Sequence, residues 1–377
     1  MTKFSPYLLL IAGICSVAPV HAQVGGTPSA QGPGARVMPA SANPDTIPFS
    51  LWNGLIVIQA LFGDGVSEQA VLHTGLPICM VTPTLAAKKS MTSTGLIDVK
   101  LMDKSLRVAG IKPQMLRVDR FLLSNVAFGI MDVFDTLSNQ TPLDAPTIWI
   151  GSSALDATSF MVDPRKMEVV FRPANAQPPP KCIRVPFTVR EGRIYMEVTI
   201  NGKQKFEAML DTGAVATLIP TDTAKKLKLV PVTTALIEEK NGKKVSMCIT
   251  RLEEVMLGKL HVKDIQAVYI AEPVKDGPDT DMAIIGNDLL LRYRFTIDYG
   301  RKEIDFEELP PIPVVKPVAP QPVKPEKKDD KQAAKKKDGK TNVPKGQEVI
   351  MPKLMYGPPE DKKSPPPLAD TPPPPGP

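Results

Sequence analysis

The stretch Phe206-Glu207-Ala208-Met209-Leu210-Asp211-Thr212-Gly213-Ala214 decides how the rest of the chain is interpreted. Its apolar residues predict a strand that ends at Asp211. Thr212 offers a hydroxyl that can stabilise the following turn, and Gly213 leaves room for backbone, water or substrate beside the carboxylate. We interpret the stretch as a carboxylate held rigidly at a strand end, whose chemistry depends on whether Asp211 has a partner.

A second copy of the pattern lies 138 residues earlier in the chain. Near the end of each copy, the correspondence continues with an offset of 135 residues. Several landmarks that stay in step over such a distance indicate an internal duplication, with about 125 residues in each copy, a plausible size for a small domain. The matched segments are Ile47-Pro48-Phe49 with Val185-Pro186-Phe187, Thr74-Gly75 with Thr212-Gly213, and Trp149-Ile150-Gly151 with Ile284-Ile285-Gly286.

Both copies have the patterns of a mostly β fold with short helices. In the second copy, Asn201-Gly202 predicts one hairpin turn and Asn241-Gly242 another. Thr221 is expected to cap a short helix, and Asp288 to cap another after Gly286. Phe295 to Phe306 predicts a closing hairpin around Gly300.

Composition places the boundaries around these copies. The predicted regions are an export signal over 1–22, a Gly/Pro/Ser-rich linker over 23–45, the first copy over 46–173, the second copy over 183–308 and a Pro/Lys-rich tail over 309–377. From Pro310 onward the chain holds 19 of its 41 prolines, and 13 lysines against 8 acidic residues. Such a segment resists helix and sheet, so we expect a disordered, solvated tail that carries most of the net charge of +6.

The second copy resembles the retropepsin-like aspartic proteases, the retroviral type of acid protease. The resemblance is carried by Met209 to Ala214, the flap-like hairpin at Asn241-Gly242, the Ile284-Ile285-Gly286 motif and the closing hairpin. It implies two tandem β-barrel lobes, with the first copy degenerate. It also implies that Asp-Thr-Gly turns meet across a two-fold axis, where two carboxylates share one proton and activate water, a dyad that is the standard example of a pKa perturbed by a like charge.

The first copy departs from the family pattern at the position that corresponds to Asp211. It has a histidine at this position, in His73-Thr74-Gly75. An imidazole beside a carboxylate favours an ion pair over a shared proton. Three interpretations follow. In the first, Asp211 pairs with Asp211 of a second chain in a homodimer formed by the second domain. In the second, Asp211 and His73 act together in unequal roles. In the third, the cleft binds extended peptides without cleaving them.

The candidate site residues follow from these motifs. Asp211 is the candidate catalytic residue, and His73 a second one in the mixed interpretation. The supporting residues are Thr212, Gly213, Ala214, Thr74, Gly75, Ile285 and Gly286, and the flap residues are Asn241 and Gly242. The mechanism implied by the resemblance requires no cofactor or metal, and the cysteines and histidines show no metal-binding spacing. The expected activity is aspartic-type endopeptidase, with a peptide-binding pseudoprotease as the alternative.

The termini suggest where the protein acts. The N-terminus has the pattern of an export signal, with Lys3, an apolar run from Tyr7 to Val20 and a cleavage pattern before Gln23. It predicts export to the periplasm, the cell envelope or the exterior. The basic tail is suited to an anionic envelope surface, although a plain disordered extension explains it more simply. Nucleic acid is not an expected partner, because no basic patch is interleaved with aromatic residues.

Overall fold

The computed structural model describes residues 36–39, 46–62, 65–101, 104–119, 121–131, 145–238, 244–272 and 281–309. Over these residues the chain is mostly β, with four short helices, and it forms two β-barrel lobes. The predicted fold class is therefore confirmed. Among the described residues, no helix is long and apolar enough to cross a membrane.

The first lobe contains the strands and helices up to Pro173. They are β1 (Arg36–Pro39), β2 (Thr46–Trp52), β3 (Leu55–Phe62), β4 (Val66–Leu72), β5 (Cys79–Val81), α1 (Pro83–Lys88), β6 (Ser93–Leu101), β7 (Lys104–Val118), β8 (Phe121–Ile130), β9 (Ile148–Ile150), α2 (Ser152–Leu155), β10 (Thr158–Asp163) and β11 (Glu168–Pro173).

The second lobe repeats this order from Ile183 onward. Its elements are β12 (Ile183–Pro186), β13 (Thr188–Arg190), β14 (Arg193–Ile200), β15 (Gln204–Leu210), β16 (Thr217–Leu218), α3 (Thr221–Lys226), β17 (Thr233–Glu238), β18 (Lys244–Leu257), β19 (Leu260–Ile270), β20 (Ile284–Ile285), α4 (Asn287–Leu290), β21 (Tyr293–Asp298) and β22 (Glu303–Glu308). The predicted hairpin turn at Asn201-Gly202 joins β14 to β15, and the predicted closing hairpin is formed by β21 and β22.

One sheet joins the two lobes, with its strands in the order β12-β22-β21-β10-β11-β2. At its centre β10 and β21 pair antiparallel, so that Phe160 lies opposite Ile297 and Val162 opposite Phe295. All four of these side chains are fully buried. The pairing relates the lobes by an approximate two-fold axis and packs them on one continuous apolar layer.

Two buried carboxylates strengthen the junction between the lobes. Arg294 of the second lobe binds Asp163 of the first, with Nε 2.8 Å from Oδ2. In the opposite direction, the backbone N–H of Asn175 donates to Asp298 Oδ1 at 3.0 Å. Because a buried carboxylate without partners is costly, these bonds favour this one arrangement of the two lobes.

Two local predictions were wrong. Arg36–Pro39, placed in the unfolded linker, forms β1, which pairs antiparallel with β8. Thr221 does not cap α3, because Pro220 occupies the N-cap position and the Thr221 hydroxyl donates to the carbonyl of Ile270 at 2.7 Å. In both cases a partner distant in sequence outweighs the local pattern.

Candidate active site

His73 and Asp211 occupy equivalent places at the ends of β4 and β15. Each strand runs parallel to a short strand, β9 in the first lobe and β20 in the second. The backbone N–H of His73 donates to Ile150 O, and that of Asp211 donates to Ile285 O, both at 3.0 Å. The short strands therefore hold both side chains from behind, which is the positioning that a reactive group requires.

Thr74 and Thr212 fasten the two turns to each other across the axis. The N–H of Thr74 donates to Thr212 Oγ1 at 3.1 Å, and the N–H of Thr212 donates to Thr74 Oγ1 at 3.0 Å. The hydroxyl of Thr74 then donates to Leu210 O at 2.9 Å, and that of Thr212 to Leu72 O at 2.7 Å. Both threonines are completely buried. The four bonds form a reciprocal interlock between the two duplicated halves of the one chain.

Gly75 and Gly213 allow the two turns to approach. Their N–H groups donate to Asp211 Oδ1, at 3.0 Å from Gly75 and 2.7 Å from Gly213. A Cβ atom at position 75 would lie 2.3 Å from Asp211 Oδ2, and one at position 213 would lie 2.3 Å from ring atoms of His73. Any side chain at either position would therefore displace the residues at the centre of the site.

Asp211 and His73 face each other with Nδ1 2.9 Å from Oδ1. Both are buried, at 1% and 6% exposure. Nδ1 makes no well-formed hydrogen bond among the described residues, so the contact is a close electrostatic approach of the two side chains. Burial raises the pKa of the Asp211 carboxyl, but the charge of His73 and the N–H groups of Gly213 and Gly75 outweigh it and hold the pKa below its ordinary value of 3.8.

The remaining predicted support residues surround this pair. Ala214 N–H donates to Asp211 O at 3.1 Å, and Ala214 O accepts from Asn287 N at 2.8 Å. A Cβ atom on Gly286 would lie 2.6 Å from Ala216 O, so only glycine lets β20 pass this close to the turn. Ile285 supplies the carbonyl behind Asp211. Asn241 and Gly242 lie outside the described residues, and the strands that lead to them, β17 and β18, are paired.

Asn287 is a structural residue of the site that none of the sequence motifs indicated. Its side-chain amide donates to Thr212 O at 2.8 Å and to Gly54 O of the first lobe at 2.9 Å. It is 2% exposed. The available signal was its place directly after Gly286, where the chain turns beside the Asp211 loop.

Asp288 does not cap α4 as predicted, because Gly286 holds the N-cap position and Asp288 lies in the first turn. Its Oδ1 accepts from the Thr217 hydroxyl at 2.8 Å and from Leu289 N at 2.9 Å. Oδ2 is buried and has no hydrogen-bond partner among the described residues. Burial raises the pKa of the Asp288 carboxyl to about 6, although the bonds from Thr217 and Leu289 partly oppose this.

The raised pKa of Asp288 predicts a pH-dependent stability difference. The folded state retains the proton up to about pH 6, whereas the unfolded carboxyl loses it near pH 3.8, so stability falls as pH rises through this window. Asp288→Asn removes that loss and keeps an oxygen for Thr217. We expect the variant to gain up to about 3 kcal/mol over wild type between pH 4 and pH 7. Urea unfolding at both pH values measures the gain, and a constant difference would contradict the prediction.

No cluster of three or more His, Cys, Asp or Glu side chains in the described ranges could hold a metal ion. The site is built instead from one carboxylate, one imidazole and converging backbone N–H groups.

Two β lobes that meet at paired Thr-Gly turns define an aspartic proteinase fold. Residues 196–292 match the family described as "gag-polyprotein putative aspartyl protease". The match includes Asp211, Thr212, Gly213, Ile285 and Gly286, so the second lobe is a retropepsin-like aspartyl protease domain.

Among solved structures, an aspartic proteinase from Irpex lacteus is similar, with a TM-score of 0.47 and 11% sequence identity. The match covers 71% of this chain and 97% of that one. No curated protein matches the chain.

Proposed function

We propose that the protein is an aspartic-type endopeptidase whose site is completed within one chain by Asp211 and His73 in unequal roles. One observation carries the proposal: the 2.9 Å contact between His73 Nδ1 and Asp211 Oδ1, at the axis where the two Thr-Gly turns interlock. This contact fills the place that a second Asp211 would take in the homodimer interpretation. To form such a homodimer, the second lobe would have to leave the first, which breaks the hydrogen bonds between Thr74 and Thr212 and the pairing of β10 with β21.

In this proposal Asp211 is the general base. Its low pKa keeps the carboxylate ionised, and Oδ1 already accepts from Gly75 and Gly213. Oδ2 is then the oxygen that takes a proton from water as the water oxygen attacks the peptide carbonyl. A base with a low pKa is weak, so its efficiency depends on the rigid placement that β15 and β20 provide.

His73 supplies the proton that the second carboxylic acid supplies in the symmetric dyad. Its Nδ1 faces Asp211, which leaves Nε2 as the other donor of the imidazolium. Donation toward the carbonyl oxygen stabilises the negative charge that develops there, and proton transfer to the leaving nitrogen completes hydrolysis. The working state is therefore an ionised Asp211 with a protonated His73.

The proposal predicts a bell-shaped pH dependence of peptide cleavage. Activity falls at low pH when Asp211 gains a proton and at high pH when His73 loses one. A diverse peptide library incubated with residues 23–377 at a series of pH values measures it, and sedimentation gives the oligomeric state of the same sample. Bell-shaped cleavage by a monomer supports the proposal. Cleavage by the dimer alone would favour the Asp211 pair, and a folded protein without cleavage at any pH would favour the peptide-binding pseudoprotease.

Replacing His73 by Asp should move the activity optimum toward acid. Two facing carboxylates cannot both ionise at contact distance, so the site works only while one proton is shared between them. We expect His73→Asp to cleave best below the wild-type optimum and to lose activity where wild type is most active. His261→Asp, a change at an exposed histidine, is the matched control. An unchanged pH profile in His73→Asp would show that His73 takes no part in the reaction.

We further propose that the peptidase acts outside the cytoplasm, as the export signal predicted over residues 1–22 suggests, on peptide or protein substrates. The basic tail would keep it near anionic envelope components. Deleting residues 310–377 should then release the protein from anionic vesicles without changing its cleavage of short peptides.

A further inference from the structure

Trp149 is completely buried on β9 and lies against the imidazole of His73. The two ring centroids are 5.7 Å apart, and the ring planes are tilted by 59°. Trp149 also lies opposite Val71 and Met80 in the sheet, so its backbone is fixed on both sides. The ring therefore forms part of the rigid wall behind His73.

The second lobe has an aliphatic residue at the equivalent place. The residue after Trp149, Ile150, accepts the N–H of His73, and the residue after Ile284 accepts the N–H of Asp211 in the same way. Trp149 thus corresponds to Ile284, and both are fully buried. The aromatic residue accompanies the group that can carry a positive charge, and the aliphatic one accompanies the carboxylate.

This difference has an electrostatic meaning. An aromatic face carries partial negative charge and attracts a cation within about 6 Å of its centroid, most strongly for tryptophan. Neutral imidazole lacks this attraction, so a neighbouring indole favours the protonated ring. An isoleucine contributes packing without a comparable preference. The contact is also desolvated, which strengthens it relative to an exposed pair.

We propose that Trp149 is a positioning residue that orients the His73 imidazole toward Asp211 and stabilises its protonated form. The proposal deepens the proposed function, because an imidazolium is the acid that the mixed site requires. In this proposal the first lobe supplies the positively charged side chain of the site, and the second lobe supplies the negatively charged one.

The charges around this pair have to be considered with it. Asp211 is the charged group in contact with His73, at 2.9 Å, and it also favours the imidazolium. Tyr299 lies within electrostatic range of Asp211. Burial and the charges of Asp156 and Asp211 raise the pKa of its phenol well above its ordinary value, so it stays neutral. Burial also raises the pKa of Asp156. A change at Trp149 leaves all three groups in place.

The test is a titration of the histidine rings by NMR in residues 23–377, with Trp149→Ile and Trp149→Phe. Only His73 and His261 remain in this chain, and exposed His261, which contacts Glu254, is an internal reference. We expect the midpoint of the His73 titration to fall by about 0.5–1 pH unit in Trp149→Ile and by less in Trp149→Phe. The His261 midpoint should not move.

Fluorinated tryptophan provides the same test without a cavity, should Trp149→Ile fail to fold. In a Trp52→Phe background Trp149 is the single tryptophan, and each added fluorine weakens the negative face of its ring while the shape is nearly kept. We expect the His73 midpoint to fall stepwise with fluorination, and the alkaline limb of cleavage to move with it. A midpoint that stays constant in the folded variants would overturn the proposal. Because the titration needs no cleavage, it remains decisive even if the peptidase proposal fails.

Discussion

Asp211→Asn is expected to lower kcat/KM for peptide cleavage by at least about 10³-fold, the scale set by loss of a positioned general base. The amide keeps an oxygen that can accept from Gly75 and Gly213, so the turn should retain its shape. It cannot take a proton from water, and it leaves the imidazolium of His73 without its counter-charge.

The assay compares kcat/KM of purified wild type and Asp211→Asn on one peptide at the wild-type pH optimum. Asp222→Asn is the matched control, because Asp222 is an exposed carboxylate in the first turn of α3 of the same lobe. Retained cleavage in Asp211→Asn would exclude Asp211 as the base. It would leave the fold assignment intact, since that depends on the strands and turns.

Thr212→Val should produce a large loss of stability, because it breaks the interlock between the two turns. Valine has nearly the shape of threonine, but it removes the bond to Leu72 O and the acceptor for Thr74 N. Two buried backbone groups are left without partners, at a cost of about 1–3 kcal/mol each. We expect a total loss of about 3 kcal/mol or more, because both groups lie in a dry junction.

Urea unfolding of wild type, Thr212→Val and Thr212→Ser measures this loss. Serine keeps the hydroxyl and should recover most of the stability. Thr74→Val should resemble Thr212→Val, since the two threonines exchange the same bonds. A Thr212→Val variant within about 0.5 kcal/mol of wild type would mean that the junction is held by the central sheet alone.

Sequence patterns predicted the elements that depend on local residues. The strand before Asp211, the turn at Asn201-Gly202 and the closing hairpin each have an alternating or turn-forming signature, and each is present. The spacing of 138 residues between Thr74 and Thr212 also identified two residues that are in contact. Internal repetition was thus the strongest source of long-range information.

The patterns could not predict contacts that depend on the assembled lobes. Nothing local distinguishes Asn287 as a bridge to Gly54, because its partner lies 233 residues away. Likewise, Arg36–Pro39 is only four residues long and lies in a Gly/Pro-rich stretch, so it was not predicted as a strand, and it becomes one because β8 offers unpaired backbone groups. The sequence patterns also could not choose among an Asp211 pair in a homodimer, a mixed pair of Asp211 and His73, and a cleft that binds peptides without cleaving them.

The antiparallel pairing of β10 with β21 has a consequence for how such a site can change through evolution. In a symmetric dimer of identical chains, every substitution occurs on both sides of the axis, so histidine opposite aspartate cannot be reached. Covalent linkage of the two lobes removes that restriction and makes the pairing independent of concentration. Each side of the axis can then accumulate its own substitutions, with His73 and Trp149 on one side and Asp211 and Ile284 on the other. Linkage of the lobes is therefore what allows the two sides of the axis to carry different residues.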